Sequence, residues 1–341
     1  MHPTSARRSL SARLILAAVV AACSSGPTAS PPNAPSGNSL YVANSSCPSC
    51  GAPASVTIYP AGATGNATPT ATIAGSSTGL SVPTGIAVDP AGRLYVTNIM
   101  GNNNSITVYA VGATGNAAPS AAITGSNTSL RNPDGIAVDA AGQLYVTNAN
   151  GPSITVYSAG ATGNATPTAT IAGGNTGLNS PRGIALDAAG SVYVANAGGN
   201  SITVYAASAT GNAMPMATIA GSNTGLSNPF GIAFDAAGQL YIANCGCLGG
   251  GVASITIYAA GATGNATPMA TIAGSNTGLT SPAGIAVDAA GRLYVTNLAG
   301  NGISVNSITV YAASATGNAT PTATIAGSNT ELSAPAFMVA H

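Results

Sequence analysis

Residues 135–148 read GIAVDAAGQLYVTN, and this stretch decides the fold. A small apolar run, GIAV, and an alternating run, LYVTN, stand on either side of DAAG. Asp at the first position and Gly at the fourth are the residues that a type I turn prefers. The stretch therefore predicts two short antiparallel strands joined by a tight turn, with Asp139 as a turn former rather than a catalytic or metal-binding residue.

The stretch is one copy of a repeat. Near-copies begin at Gly85, Gly183, Gly231 and Gly284. The aspartates of the five turns lie 50, 48, 48 and 53 residues apart. Two further strand-like runs follow in each unit, here SITVY at 153–157 and ATIAG at 169–173. We label the four runs A to D. A period of about 48 residues with four short strands is typical of β-propeller blades.

The repeated residues also resemble a known family. PDGIAVD at 133–139, LYV at 144–146 and ITVY at 154–157 are similar to NHL repeats, and the resemblance extends over residues 40–341. It implies a propeller fold. The chain departs from the family pattern at Asn148, where an Asp is usual, and at Ser153, where a basic residue is usual. Charged contacts that the family makes there are therefore not expected in this protein.

The two ends of the chain predict how the ring closes. The first recognisable strand, LYVAN at 40–44, is a B strand with no A strand before it, and the last, FMVA at 337–340, is an A strand. Five complete units and one unit split between the termini make six blades. We predict an all-β, six-bladed propeller of four-stranded antiparallel blades, closed by pairing of the C-terminal strand A with the N-terminal strand B, which removes an open sheet edge.

Length variation is confined to one connection, between strands B and C. Counted from the Asn that ends strand B to the Ser that opens strand C, this segment has 8, 6, 6, 11 and 11 residues, and the rest of every complete unit has 42. The split unit has 12, from Asn44 to Ser55. Loops displayed on a rigid scaffold commonly carry recognition. The alternative is that Gly-rich loops vary in length without functional consequence.

A second variable position lies between the Pro and the Gly that open strand A. The six residues there are Thr84, Asp134, Arg182, Phe230, Ala283 and Ala336. We expect them to surround one end of the central channel, on the face that carries the B–C loops, with Asp134 and Arg182 on neighbouring blades and able to pair. They are the predicted ligand-binding residues; the alternative is incidental surface variation.

The N-terminus predicts export. Arg7, Arg8 and Arg13 precede an apolar run at 14–22 that is too short to span a bilayer, as in a signal peptide. The sequence VAAC at 20–23 resembles a bacterial lipobox, which implies cleavage after residue 22 and lipidation of Cys23. Residues 23–37, rich in Ser, Pro and Gly, predict a disordered tether, and residues 38–341 form the propeller. We expect an exported protein, anchored by lipid alone to the cell or outer membrane.

Composition limits the partners. Only 4% of residues are charged and the formal net charge is zero, so there is no basic surface for nucleic acid. Four cysteines remain in long B–C loops, Cys47, Cys50, Cys245 and Cys247. Outside the cytoplasm they indicate disulfides. Cys47 and Cys50 are suitably placed for a local bridge, whereas Cys245 and Cys247 are so close that a bridge between them would be strained, which leaves pairing between the two loops as a second arrangement. A metal site or redox activity are the alternatives.

The sequence offers little for catalysis. His341 is the one histidine beyond the N-terminal segment, and Asp134 and Glu331 are the acids outside the repeated turns. A general acid–base pair with an activated nucleophile cannot be assembled from these residues. We therefore predict a monomeric, non-enzymatic binding or scaffold module for an unknown protein or small molecule, with no cofactor and no metal. A propeller hydrolase or lyase and a purely structural envelope protein are the alternatives.

Overall fold

The computed structural model describes residues 39–45, 53–99, 104–247, 251–299 and 305–341. Six four-stranded antiparallel sheets account for all the strands in these residues. The predicted six-bladed, all-β propeller is confirmed. The predicted signal segment, Cys23, the tether, Cys47 and Cys50 lie outside the described residues. No helix of the described part is long and apolar enough to cross a membrane.

The strand bounds follow the repeat. The chain enters with β1 (Ser39–Asn44), β2 (Ser55–Pro60) and β3 (Ala71–Ala74). Blade 1 contains β4 (Pro83–Val88), β5 (Leu94–Asn98), β6 (Ser105–Tyr109) and β7 (Ala121–Thr124). Blade 2 contains β8 (Pro133–Val138), β9 (Leu144–Asn148), β10 (Ser153–Tyr157) and β11 (Ala169–Ala172). Blade 3 contains β12 (Pro181–Leu186), β13 (Val192–Asn196), β14 (Ser201–Tyr205) and β15 (Ala217–Ile219).

Blade 4 contains β16 (Pro229–Phe234), β17 (Leu240–Asn244), β18 (Ser254–Tyr258) and β19 (Ala270–Ile272). Blade 5 contains β20 (Pro282–Val287), β21 (Leu293–Asn297), β22 (Ser307–Tyr311) and β23 (Ala323–Ala326). The last strand, β24 (Pro335–Ala340), joins β1–β3 to make blade 6. Among the described residues, two short 3₁₀ helices, Ser126–Thr128 and Ser328–Thr330, lie in connections between blades.

Blade 6 closes the ring as the sequence predicts. Strand β24 pairs antiparallel with β1, with Leu40 opposite Ala340 and Tyr41 opposite Val339. The backbone N–H of Ser39 donates to the carbonyl of His341 at 2.8 Å, and His341 returns a bond of 2.9 Å to Ser39. The first and last described residues are thus tied together, and neither terminal strand leaves an open inner edge.

The A–B turn takes the predicted form. The N–H of Gly142 donates to the carbonyl of Asp139 at 3.0 Å, which closes the turn. One carboxylate oxygen of Asp139 also accepts the backbone N–H groups of Ala141 at 2.9 Å and Gln143 at 2.8 Å. An Asp side chain that caps its own turn satisfies two backbone donors. The repeated aspartates are therefore explained by the turn.

The hydrophobic core consists of layers between neighbouring blades. Between blades 2 and 3, for example, Ile154 and Ile171 pack against Ile184, Val194 and Tyr205, all of which are buried. Strands B and C therefore bury side chains on both faces, and this is why they alternate without a clearly polar side. The same arrangement recurs around the ring.

The C–D connections have a role that the sequence did not indicate. Each crosses to the preceding blade, where its Thr-Gly-Asn segment lies beside strand D. Between blades 1 and 2, Gly163 forms a parallel bridge with Ile123. The N–H of Gly163 donates to Ala122 at 2.6 Å, and its carbonyl accepts from Thr124 at 2.9 Å. Six such bridges cover the outer edges of the six blades, which would otherwise present unpaired backbone groups.

Asn148 shows why the usual family Asp is not needed. Its side-chain amide donates to the hydroxyl of Thr155 at 3.2 Å, and its side-chain oxygen accepts the backbone N–H of Arg131 at 2.8 Å. The residue is fully buried. An amide supplies both a donor and an acceptor without placing a charge in the interior, which a carboxylate could not do. The same pattern is present in all six blades.

Candidate functional site

The six variable residues each occupy the second position of a strand A. There the inner strands come very close, because the Gly that follows faces the next blade. A Cβ atom on Gly135 would lie 2.5 Å from the carbonyl oxygen of Arg182 and 3.0 Å from the N atom of Ile184. That oxygen also accepts a hydrogen bond of 2.5 Å from the hydroxyl of Thr147. The backbone at this end of the channel is consequently fixed by contacts between blades.

The structure brings three of the six residues together. A guanidinium Nη1 of Arg182 lies 2.6 Å from the carboxylate Oδ2 of Asp134, on the neighbouring blade. The guanidinium carbon is 4.9 Å from the ring centroid of Phe230, on the blade beyond. Arg182 therefore bridges three consecutive blades. The predicted Asp134–Arg182 pair is confirmed, and the stacking on Phe230 is a contact that the sequence analysis did not anticipate.

The other three residues add little to this cluster. Thr84 is buried, and its hydroxyl donates to the carbonyl of Pro133 at 2.9 Å. Ala283 is buried and Ala336 is half-buried, and neither side chain has a polar group. The polar character of this end of the channel thus lies on one side, at blades 2 to 4. The ligand-binding role assigned to all six residues stays a prediction.

The two charges of the pair differ in burial. The Asp134 side chain is 6% exposed, whereas that of Arg182 is 36% exposed. Burial raises the pKa of Asp134, and the guanidinium of Arg182 opposes this shift without cancelling it. Nε of Arg182 is buried and has no hydrogen-bond partner among the described residues. A pair of this kind is a costly arrangement for stability alone, since desolvation offsets much of the attraction.

A cavity of about 260 Å³ adjoins the pair on the B–C face, between blades 2 and 3. Its polar lining comes from Asn132, Asp134, Asn150, Ser180 and Arg182. Asn150 belongs to a B–C loop, whereas Asn132 and Ser180 immediately precede a strand A. The cavity therefore combines one half-exposed cation with neutral hydrogen-bonding side chains, which suits a small polar ligand.

The central channel is a separate space. A cavity of about 280 Å³ is lined by the later residues of all six A strands, such as Val138, Leu186 and Phe234. These residues are apolar and lie toward the A–B turns. Because the strands crowd together at the glycines, this space is distinct from the cavity beside Asp134 and Arg182.

Other predicted chemical groups are distributed as follows. Cys245 and Cys247 form a disulfide on the B–C face of blade 4. Asp89 pairs with Arg93 at 2.7 Å at an A–B turn; burial raises the pKa of Asp89, but hydrogen bonds from Arg93 outweigh this and the net shift is downward. Within the described residues, no three His, Cys, Asp or Glu side chains converge as metal ligands.

Comparison with known proteins supports the fold. The NHL repeat family model matches residues 80–109, which contain the first three strands of blade 1. No curated protein sequence matches the chain. A Bacteroides caccae protein of unknown function has a TM-score of 0.61 at 12% identity, over 89% of this chain and 99% of the other.

Two further solved structures give the same result. A periplasmic gluconolactonase from Pseudomonas aeruginosa has a TM-score of 0.56 at 13% identity, covering 88% of this chain and 98% of the other. A protein from Lactobacillus plantarum has a TM-score of 0.53 at 14% identity, covering 89% and 99%. At such low identity these likenesses establish the propeller fold and do not carry a function to this chain.

Proposed function

We propose that this protein is a binding module that recognises a small polar ligand with a carboxylate group at the Asp134–Arg182 site. The observation that carries the proposal is that a buried carboxylate, a half-exposed guanidinium and an aromatic ring meet beside a cavity. The equivalent positions in the other three blades hold Thr84, Ala283 and Ala336. Because those blades have the same fold, the pair is not a requirement of the architecture.

The chemistry of the site favours an anionic ligand with hydroxyl groups. Asp134 engages one guanidinium nitrogen, Nη1, and a guanidinium presents five N–H donors in a planar fork. The exposed remainder can therefore bind a carboxylate oxygen. Asn132, Asn150 and Ser180 supply neutral donors and acceptors for hydroxyl groups around it. The guanidinium carbon of Arg182 also lies over the ring of Phe230, and a cation–π contact of this kind contributes about 0.5–2 kcal/mol.

The test is titration calorimetry with a defined panel. Galacturonate and gluconate represent hydroxylated carboxylates, and glucose and acetate each lack one of the two features. We expect saturable binding of at least one sugar acid, weaker binding of glucose and acetate, and loss of binding in Arg182→Gln. The matched control is Arg131→Gln, which removes a positive charge from the same face outside the cavity. Equal binding by Arg182→Gln and wild type, or no saturable binding by any member, would refute the proposal.

Lactone hydrolysis is the second candidate, because the Pseudomonas aeruginosa protein that shares the propeller fold is described as a gluconolactonase. The test is hydrolysis of glucono-δ-lactone above its spontaneous rate, measured with divalent cations and again with chelator. Turnover that chelator abolishes would favour a metal-dependent enzyme over the binding module. Turnover at the spontaneous rate in every condition would exclude this candidate.

The binding site would face away from a membrane if the chain is anchored at Cys23. Strand β1 begins at Ser39 on the side of the A–B turns and runs toward the B–C face, where it ends at Asn44. The proposal of an exported lipoprotein itself rests on the sequence VAAC at 20–23, and the direction of β1 bears only on which face lies away from the start of the described chain. Mass spectrometry of the mature N-terminus tests it: a lipidated Cys23 is expected, and an unmodified terminus elsewhere would refute it.

A further inference from the structure

A second chemical group on the B–C face is independent of the Asp134–Arg182 site. Cys245, the first residue after β17, and Cys247 form a disulfide across the single residue Gly246. Cys245 is 3% exposed, whereas Cys247 is an exposed residue. One sulfur of the bridge is therefore carried by a residue that solvent reaches, and the other by a residue packed inside the blade.

The fold does not need this bridge. The N–H of Cys245 donates to the carbonyl of Asn228 at 3.1 Å. The alanines that occupy the same place in blades 2 and 3, Ala149 and Ala197, make the same bond, at 3.1 and 3.2 Å, to the residues before their A strands. The backbone of this segment therefore takes the same position in blades that have no cysteine there. Two of the other blades show that ordinary packing and hydrogen bonding suffice there.

The contribution of the bridge to stability is also small. In the chain-entropy account, a disulfide stabilises a protein less the shorter the loop that it closes, and this loop has only three residues. A bridge that stabilises so little, at a site where the fold is already fixed, calls for another role. Exposed disulfides are those that exchange readily with external thiols, whereas buried ones resist reduction.

We infer that Cys245–Cys247 is a reversible redox centre that exchanges two electrons with an external dithiol. A thiolate of the dithiol attacks Sγ of Cys247, and the bond between the two sulfurs breaks. Cys245 leaves as a thiolate and takes a proton from water. The second thiolate of the dithiol then attacks the dithiol sulfur that is bonded to Cys247. Cys247 leaves as a thiolate and also takes a proton from water. The dithiol is oxidised to a disulfide, and the protein gains two thiols.

Gly246 is the residue that permits this geometry. Its φ is +63°, and a Cβ atom would lie 2.8 Å from the carbonyl oxygen of Gly251. Its N–H donates to the carbonyl of Ser227 at 3.2 Å, which anchors the middle of the short loop. A glycine between the cysteines therefore lets the chain turn tightly enough to bring the two sulfurs together.

The first experiment measures reversible opening of the bridge. The full chain is equilibrated with graded ratios of reduced and oxidised dithiothreitol, quenched with acid, alkylated and mapped by mass spectrometry. We expect the peptide that contains Cys245 and Cys247 to gain two alkyl groups in one reversible transition, with an unchanged circular dichroism spectrum. An air-oxidised protein without this bridged peptide, or a bridge that opens only as the spectrum is lost, would overturn the inference.

The second experiment tests which sulfur is attacked. Cys245→Ser leaves the exposed thiol and Cys247→Ser leaves the buried one, and each variant is incubated with oxidised glutathione. We expect the mixed disulfide at Cys247 to form about tenfold or more faster than that at Cys245, because a buried thiol is inert. Circular dichroism checks that both variants fold. Equal rates in the two folded variants would refute the proposed order of attack.

Discussion

The hydroxyl of Tyr157 offers a direct test of how neighbouring blades are joined. Tyr157 is fully buried between blades 1 and 2, in one hydrophobic cluster with Ile123 and Val146. Its hydroxyl donates to the backbone carbonyl of Thr128, in the connection that enters blade 2, at 2.5 Å. Tyr157→Phe keeps the ring and removes only the donor. Because the carbonyl is left buried without its partner, we expect a loss of about 1–3 kcal/mol in the free energy of unfolding.

Chemical unfolding at neutral pH, followed by circular dichroism, measures this loss. The midpoint should fall while the slope of the transition stays the same, since no change in the buried surface is expected. The matched control is Tyr193→Phe, because the hydroxyl of this half-buried tyrosine has no hydrogen-bond partner among the described residues. We expect the control to lie within about 0.5 kcal/mol of wild type. A Tyr157→Phe variant as stable as the control would show that the hydroxyl does not join the blades.

Three further perturbations test other parts of the argument. Gly135→Ala should destabilise the protein by about 1–3 kcal/mol in the same assay, because its Cβ would meet the Arg182 carbonyl. Gly174→Ala is the control and should be neutral, because the space around Gly174 is open. Equal effects of the two substitutions would contradict the close approach of the inner strands. Ser129→Gly should raise the free energy of unfolding by about 0.5–1 kcal/mol, because Ser129 has a left-handed φ of +58° at a position where four other blades have glycine. An unchanged free energy of unfolding would show that the backbone is not strained at Ser129. Alkaline titration should unfold the protein cooperatively between pH 10 and 12, because burial raises the pKa of four tyrosines from 10.0 to about 12. The stability that these neutral tyrosines contribute is complete below pH 10 and is lost as the pH rises toward 12, by up to about 2–3 kcal/mol for each tyrosine. A stable fold with ionised tyrosines at pH 12 would refute this. The four are Tyr59, Tyr109, Tyr157 and Tyr311.

The architecture was predictable because each blade repeats the same local signals. The Asp139 turn, the strand after it and the split unit at the termini all follow from short-range rules on turn residues and strand patterns. The pairing of Asp134 with Arg182 followed from the repeat as well, since equivalent positions in consecutive blades must be neighbours. In a repeat protein, residues one repeat apart in the sequence are therefore expected to be neighbours in the structure.

Contacts between unlike segments were beyond this reasoning. The bridge between Gly163 and Ile123 was not predicted, because a Thr-Gly-Asn segment has no strand pattern of its own. The stacking of Arg182 on Phe230 depends on a side-chain orientation that spacing does not determine. A signal for the first contact does exist in the sequence: the segment recurs unchanged in every unit, which a free surface loop has no physical need to do.

The 42 residues of constant length in each complete unit and the B–C loop of variable length have different roles in the structure. The invariant part contains the tyrosine bonds, the parallel bridges and the turn caps, so an insertion there would break either a contact to another blade or the cap of the A–B turn. All the length variation lies in the B–C loop, where a longer loop costs little closure entropy. Residues that differ between blades, such as the Asp134–Arg182 pair and the Cys245–Cys247 bridge, lie on the face where these loops are. The scaffold therefore tolerates new chemistry on that face, and a search for ligands should begin there.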